Sequence, residues 1–370
     1  MSHDEATERR ALLDGIRVLD LSIWRPGPYA TQLLADLGAD VLKVEPPGGD
    51  PMRVFPQLFS SLNANKRSMV LDLKDPDQRA HAHTLVAEAD VFVEGFRPGV
   101  ADRLGVGEHE VRAINPSIVY CSISGYGQDG PLARTPGHDL NYQAYAGMLT
   151  ATGGPPVEST VPVADLSGGV FAAMGICAAL LGRATSGAGE RIDVSMAEIL
   201  ATWTGPFTGA AVAGTDKPMG RLAAYGSFPT ADGRWITLGL LDEQHFWEQL
   251  CDALDLPDVR SLDFRSRLDR HDELSERISA AIASRPLDDL VTALGDEVPV
   301  APALTRAEML RHPQHVHRQI VGLRTGDGTP TMGYPVRFSE RPARSPGRPP
   351  SLGEQQEERF LPRPPVSGNP

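Results

Sequence analysis

Residues 13–49 read LDGIRVLDLSIWRPGPYATQLLADLGADVLKVEPPGG, two short apolar runs around a segment of helical spacing. Leu13 to Leu21 alternates and then turns apolar, as the first strand of a buried sheet does. Pro26-Gly27-Pro28 breaks that strand, Tyr29 to Leu37 has the spacing of a helix, and Gly38 ends it. Ala39 to Val44 is a second short strand, stopped by Pro46-Pro47-Gly48-Gly49. A strand, a helix and a strand within about thirty residues form the unit from which open parallel sheets are wound. The glycine fingerprint of dinucleotide-binding sheets is absent after the first strand, so the fold signal comes without that cofactor's signal.

The alternation continues outward. Strands are predicted at Ser68 to Leu73, Val91 to Glu94 and Ile118 to Ser124, and helices at Pro76 to Ala89 and Glu108 to Ile114, with a turn or helix at Val100 to Leu104. The fold class is therefore α/β, a Rossmann-like large domain. Cations gather where strands end: Arg25, Lys43, Lys66, Arg67, Lys74, Arg97 and Arg103. Ligands of such sheets bind beyond the carboxyl ends of the strands, and cations there suit phosphate groups. Ser167 to Gly182 is rich in Ala and Gly and reads as a helix buried nearly all round. Ile192 to Thr202 reads as strand into helix.

A Gly/Ala/Thr-rich stretch at residues 205–224 reads as a linker. It separates the large domain, residues 1–204, from a smaller α+β domain, residues 225–310. The small domain opens with a hairpin turning at Asp232-Gly233, followed by helices at Gln244 to Leu254, Leu274 to Ser284 and Leu287 to Leu294. Residues 311–370 are a second linker and a C-terminal segment, with disorder predicted for the Pro/Arg-rich end.

Composition narrows the function classes. The 370 residues are 41% hydrophobic and 22% charged, an ordinary globular profile. The apolar runs read as too short for a membrane span and the start lacks a signal peptide, so a cytoplasmic protein without a membrane partner is expected. A net charge of −13 argues against a nucleic-acid partner. Cys121, Cys177 and Cys251 lie far apart in apolar surroundings, with no disulfide or metal spacing.

The chemistry-bearing stretch is Pro136 to Gly169. One end is Pro136-Gly137-His138-Asp139-Leu140-Asn141-Tyr142, the other Val163-Ala164-Asp165-Leu166-Ser167-Gly168-Gly169, with a run from Ala144 to Leu149 between them that reads as buried. A His and an Asp beside glycines are candidates for proton donor and acceptor, the glycines letting backbone approach a ligand. From residue type alone Asp165 also fits a helix N-cap.

Several stretches resemble family III CoA-transferases. They are Leu21-Ser-Ile-Trp-Arg-Pro-Gly-Pro-Tyr-Ala, Leu34 to Glu45, Asn65 to Lys74, Val93-Glu-Gly-Phe-Arg-Pro-Gly-Val, Ser122-Ile-Ser-Gly-Tyr-Gly, Ile192 to Glu198 and Leu352-Gly-Glu. The resemblance implies a homodimer of interlocked rings and an acyl-CoA substrate, with coenzyme A entering as part of that substrate and no prosthetic group. Within the family, Gly137-His138-Asp139 followed by Asn141-Tyr142 is similar to the α-methylacyl-CoA racemases. On that reading His138 and Asp165 exchange the α-proton of a 2-methyl-branched acyl-CoA, the Asp139 N–H meets the enolate oxygen, and Asp242, or Glu243 beside it, orients His138. Asp242 also fits a helix N-cap. The alternative is a CoA-transferase with Asp165 as nucleophile and His138 incidental. For coenzyme A the resemblance implies Arg25, Lys43, Leu71, Asp72, Leu73, Lys74, Gly95, Phe96, Arg97 and Arg103, with Gly137, Leu140, Asn141 and Tyr142 along the thioester.

Overall fold

In the computed structural model the described residues are 10–149, 156–214, 222–295, 297–324, 328, 330–356 and 359–363. The chain divides into two compact units, one of Met1–Phe207 with Pro313–Pro370, the other of Thr208–His312.

The larger unit begins β1 (Arg17–Asp20), α1 (Pro26–Asp36), β2 (Asp40–Glu45), α2 (Pro56–Asn63), β3 (Arg67–Val70), α3 (Pro76–Glu88) and β4 (Val91–Glu94). It continues α4 (Val100–Arg103), α5 (Glu108–Ile114), β5 (Val119–Ser124), α6 (Asp139–Tyr145), α7 (Val163–Ser186), β6 (Arg191–Ser195) and α8 (Met196–Val212). The six strands run parallel in the order β3-β2-β1-β4-β5-β6. Strand order reverses between β1 and β4, so the loops leaving those two strands border the crevice where such sheets take ligands. One core layer packs Val18, Val41, Val93 and Cys121 against α1 and α7; the other packs Leu19, Leu42, Phe92 and Tyr120 against α3 and its neighbours. Alternate residues of each strand thus feed opposite layers, which is why the strands read as unbroken apolar runs.

Helix α7 departs from the sequence expectation. It runs for 24 residues, long and apolar enough by length and composition to cross a membrane. It is not buried nearly all round. Ala164, Ala172, Ala173 and Ile176 lie in the core, while Val170 and Met174 are exposed and Leu181 is 75% exposed. Gly168 and Gly169 serve its packing. A Cβ on Gly169 would stand 2.8 Å from the Pro26 carbonyl oxygen, so glycine is what lets α7 close on α1. The run Ala144 to Leu149 is likewise more open than its sequence suggests, with Tyr145 66% exposed. Helix α8 continues through Pro206 to Val212, so the first part of the stretch read as a linker is helical; residues 215–221 lie outside the described residues.

The C-terminal segment lies along the edge of the sheet. The Ser68 N–H donates to Gln355 Oε1, the Val70 N–H donates to Gln356 Oε1, and Phe360 enters the core. Side chains thereby occupy the free edge of β3. Residues 364–370, where disorder is predicted from composition, lie outside the described residues.

In the smaller unit β7 (Tyr225–Pro229) and β8 (Trp235–Gly239) form the hairpin, with Gly233 at φ 76° in its turn, and β9 (Val300–Pro302) pairs with β8. Helices α9 (Gln244–Ala253), α10 (Phe264–Asp269), α11 (His271–Ala283) and α12 (Leu287–Leu294) follow the hairpin, and Trp247, Leu250, Leu274, Ile278 and Leu290 fill the core of this unit.

Candidate functional site

The site is set by three helix starts. Helix α1 begins after the loop leaving β1, and Arg25 stands at its N-cap position. Pro26 sits at the first turn, where its missing N–H costs nothing. Trp24, just before, is held at φ 64°, a strained angle for an aromatic residue, and its N–H donates to Asp50 Oδ1 at 3.3 Å. Asp50 is fully buried and pairs with Lys43 Nζ at 2.9 Å, which also donates to the Ser22 carbonyl at 2.6 Å. A second buried pair, Lys66 with Asp20 at 3.3 Å, lies beneath the same loop, and Lys66 also donates to Thr31 Oγ1 and the Pro28 carbonyl. Burial pulls the Lys66 ammonium down to about 8 against the opposing pull of Asp20. Burial would raise Asp20, but Lys66, Lys43 and two hydroxyls hold it below the usual carboxylate range. Every charge under the loop is thus neutralised by another, as buried charge requires.

These pairs correct the reading of Lys43. Its side chain is wholly buried, so its ammonium braces the loop instead of meeting a phosphate. Lys66 has the same fate, and Arg67 forms a two-pronged pair with Asp40. Leu71 and Leu73 are core residues. Asp72 binds locally, its N–H to Gln78 and its Oδ1 from the Lys74 N–H. Lys74, Arg97 and Arg103 are exposed. Gly95 and Phe96 begin the loop leaving β4, and the Phe96 N–H donates to Glu94 Oε2 at 2.7 Å.

Helix α6 starts at Asp139. His138 occupies its N-cap position with an exposed side chain, and its N–H donates to Asn141 Oδ1 at 2.9 Å. Tyr142 is buried, and its hydroxyl donates to the Gly137 carbonyl at 2.6 Å. Its ring meets Tyr126 edge-on with centroids 5.1 Å apart. Leu140 is 41% exposed.

Helix α7 starts at Val163, which places Asp165 in its first turn and not at the N-cap, a position held by Pro162. The Asp165 N–H donates to Asp139 Oδ1 at 3.0 Å, tying the two helix starts together. The Asp165 carboxyl is 15% exposed and faces Arg25, with 3.8 Å between Oδ2 and Nη1. Burial, then the charge of Asp139, push it up to about 6 against the pull of Arg25 and His138. A partly desolvated carboxylate beside a guanidinium and a helix N-terminus holds a charge it can give up. Sequence reasoning picked Asp165, His138, Asp139 and Arg25, and the structure brings these together. It missed Glu94, whose buried carboxyl is pushed to about 7 by desolvation, against the Ser122 hydroxyl and Phe96 N–H that hold it down. Its only signal was an acid ending a strand just before Gly95-Phe96-Arg97.

Asp242 belongs to the smaller unit, where its carbonyl accepts from Arg267 Nη2 at 2.9 Å. It is not a helix cap. Glu243 stands at the N-cap position of α9, and its carboxylate accepts from the Leu241 N–H at 3.0 Å.

With this geometry in hand, comparison with known proteins separates the two chemistries. The model of CoA-transferase family III matches residues 13–356. An acetyl-CoA:oxalate CoA-transferase from Acetobacter aceti is 36% identical, with 96% of each chain covered. A succinate–glutarate CoA-transferase from Agrobacterium fabrum is 34% identical, with 94% of each covered. The crystal structure of a CAIB/BAIF family protein from Brucella suis superposes with a TM-score of 0.85 at 29% identity, covering 94% of this chain and 98% of that one. The expectation of a racemase, an isomerase, is overturned, because the named relatives are transferases. His138 stands at an exposed helix cap close to Asp165, and its residue type does not by itself separate the two chemistries.

Proposed function

Since the chain belongs to CoA-transferase family III, we propose that it moves coenzyme A between carboxylic acids with Asp165 as the nucleophile. One observation carries this: a sheltered carboxyl pushed up to about 6, faced by a guanidinium at 3.8 Å. Burial strips water from such a carboxylate, so it attacks more readily than a solvated one. An Asp165 oxygen attacks the thioester carbonyl of the acyl-CoA. The C–S bond breaks, the thiolate leaves with the electron pair, and a mixed anhydride remains. The thiolate then attacks the Asp165 carbonyl, releasing the donor's acid and leaving an aspartyl-CoA thioester. An incoming acid reverses both steps. Proton and electron counts close without a resident cofactor.

The nucleotide end of coenzyme A fits the exposed cations Lys74, Arg97 and Arg103 at the carboxyl edge of the sheet. The relatives' names pair coenzyme A with small dicarboxylic acids, and the acceptor here is proposed to be of that kind. The open apolar face of α7, with Met174 58% exposed, fits burial against a second copy of the chain.

Incubation with acyl-CoA followed by hydroxylamine is expected to convert Asp165 to its hydroxamate, read by mass spectrometry of the peptide. Coenzyme A moving between acids while Asp165 stays unmodified would place the nucleophile elsewhere. The pH profile gives a second check. Transfer requires the ionised carboxylate, so the rate with a strongly acidic acceptor falls about tenfold per pH unit below about 6. A limb near the ordinary aspartate value would contradict the burial seen here.

A further inference from the structure

We propose that Arg25 is the binding site for the free acid's carboxylate, taking that carboxylate in place of Asp165 while Asp165 is masked as its CoA thioester. The inference rests on Asp165 being the nucleophile and goes beyond it, because it assigns the residue that recognises the second substrate.

Charge is the starting point. In the resting enzyme the Arg25 side chain faces the Asp165 carboxylate, with Nη1 at 3.8 Å from Oδ2. That is longer than a hydrogen bond, and the guanidinium has no other acceptor among the described residues. Its side chain is 39% exposed, so an incoming group can reach it. When the Asp165 carboxyl becomes a thioester it loses its charge, and Arg25 loses its counter-ion. At that same stage a free carboxylate is present, first the donor's departing acid and then the acceptor. A guanidinium fork matches a carboxylate in two parallel hydrogen bonds.

The other acid in the cluster does not compete for Arg25. Asp139 has one oxygen on the Asp165 N–H at 3.0 Å and the other on Gln143 Nε2 at 2.5 Å. Nor is Arg25 free to swing away at its root. The loop before it is fixed by the Trp24 N–H on Asp50, and helix α1 begins directly after it.

The exchange closes chemically. The acceptor's carboxylate oxygen attacks the Asp165 carbonyl carbon, forming a C–O bond as the C–S bond breaks and the thiolate leaves with the electron pair. The thiolate attacks the acceptor's carbonyl, the bond to the Asp165 oxygen breaks, and the regenerated carboxylate pairs with Arg25 again. The departing acid and the acceptor use the same fork in turn.

The test is steady-state kinetics of Arg25→Gln and Arg25→Lys with succinyl-CoA as donor and oxalate or glutarate as acceptor, at about pH 8 so that Asp165 is ionised throughout. For Arg25→Gln the acceptor KM is expected to rise about 10- to 100-fold, the range of one charged hydrogen-bonded contact. The inhibition constant of the released succinate should rise in parallel. The KM for succinyl-CoA should stay within about threefold, and hydroxylamine should still trap Asp165. Arg25→Lys should keep part of the acceptor affinity, and added guanidinium should restore part of what Arg25→Gln loses. Lysine keeps the charge, so that variant decides the matter even where Arg25→Gln folds poorly. An acceptor KM unchanged in Arg25→Gln, or a loss that falls on succinyl-CoA instead, overturns the proposal. Transfer by Asp165→Ala at the wild-type rate would refute the nucleophile itself, whatever Arg25 does.

Discussion

Replacing Asp165 by asparagine is expected to lower CoA transfer by at least about ten-thousand-fold, and also to raise the melting temperature at about pH 8. The first effect follows from losing the attacking oxygen. The second follows from linkage. The Asp165 carboxyl moves from 3.8 to about 6 on folding, driven by burial and by Asp139. The folded chain therefore holds this proton more tightly than the unfolded chain, and stability falls as pH rises between those values. Below the lower value both states are protonated and nothing is lost. Above about 6 the carboxylate is ionised in both, and the cost is complete, roughly 3 kcal/mol. Asparagine has nearly the same shape and no charge, so the variant escapes that cost. Its melting temperature should exceed the wild type's at pH 8 and converge with it by about pH 4. Calorimetry across that range and a transfer assay read both arms. Near-wild-type transfer would exclude Asp165 as nucleophile, and a lower melting temperature at pH 8 would mean that Arg25 more than compensates the buried charge.

The sheet could be read because the strands buried on both faces are continuous apolar runs between proline and glycine stops, as at Ala39 to Val44. The start of α6 is legible beside Gly137-His138, whereas α7 begins at Val163, four residues before the Ser167 that composition indicates, which takes Asp165 into the helix. What could not be read was direction. Lys43 and Arg25 both flank β-strand ends and look alike as cations, yet one is buried on Asp50 and the other stands in the crevice. The difference comes from which acid the fold brings alongside, across gaps in the chain that local pattern does not span. The role of Gly168 and Gly169 was hidden for the same reason, since the constraint on them is the backbone of α1. The choice between moving a proton and moving coenzyme A is not legible from His138, because a histidine near Asp165 is compatible with either.

The second large effect is on folding. Lys43→Met is expected to destabilise the protein by about 3–5 kcal/mol, the range for removing one partner of a buried ion pair. Both side chains are fully buried, so no water replaces the ammonium beside Asp50. Asp50 keeps two donors, the Met52 N–H at 2.9 Å and the Trp24 N–H at 3.3 Å, but its other oxygen loses its counter-charge. The Ser22 carbonyl loses its donor as well. Pairing the change with Asp50→Asn removes the stranded charge, so the double variant should recover more than half of the loss. Urea unfolding of the two single variants and the double variant gives the coupling directly. A loss below about 1 kcal/mol for Lys43→Met would show that the pair is not the brace. The functional consequence runs through the same atoms. Asp50 holds the Trp24 backbone, and Trp24 precedes Arg25, so a variant that folds but lets this loop relax should lose acceptor affinity while Asp165 is still trapped by hydroxylamine. A lysine that touches no ligand would then set affinity for the second substrate, through a buried charge pair that fixes where the guanidinium begins.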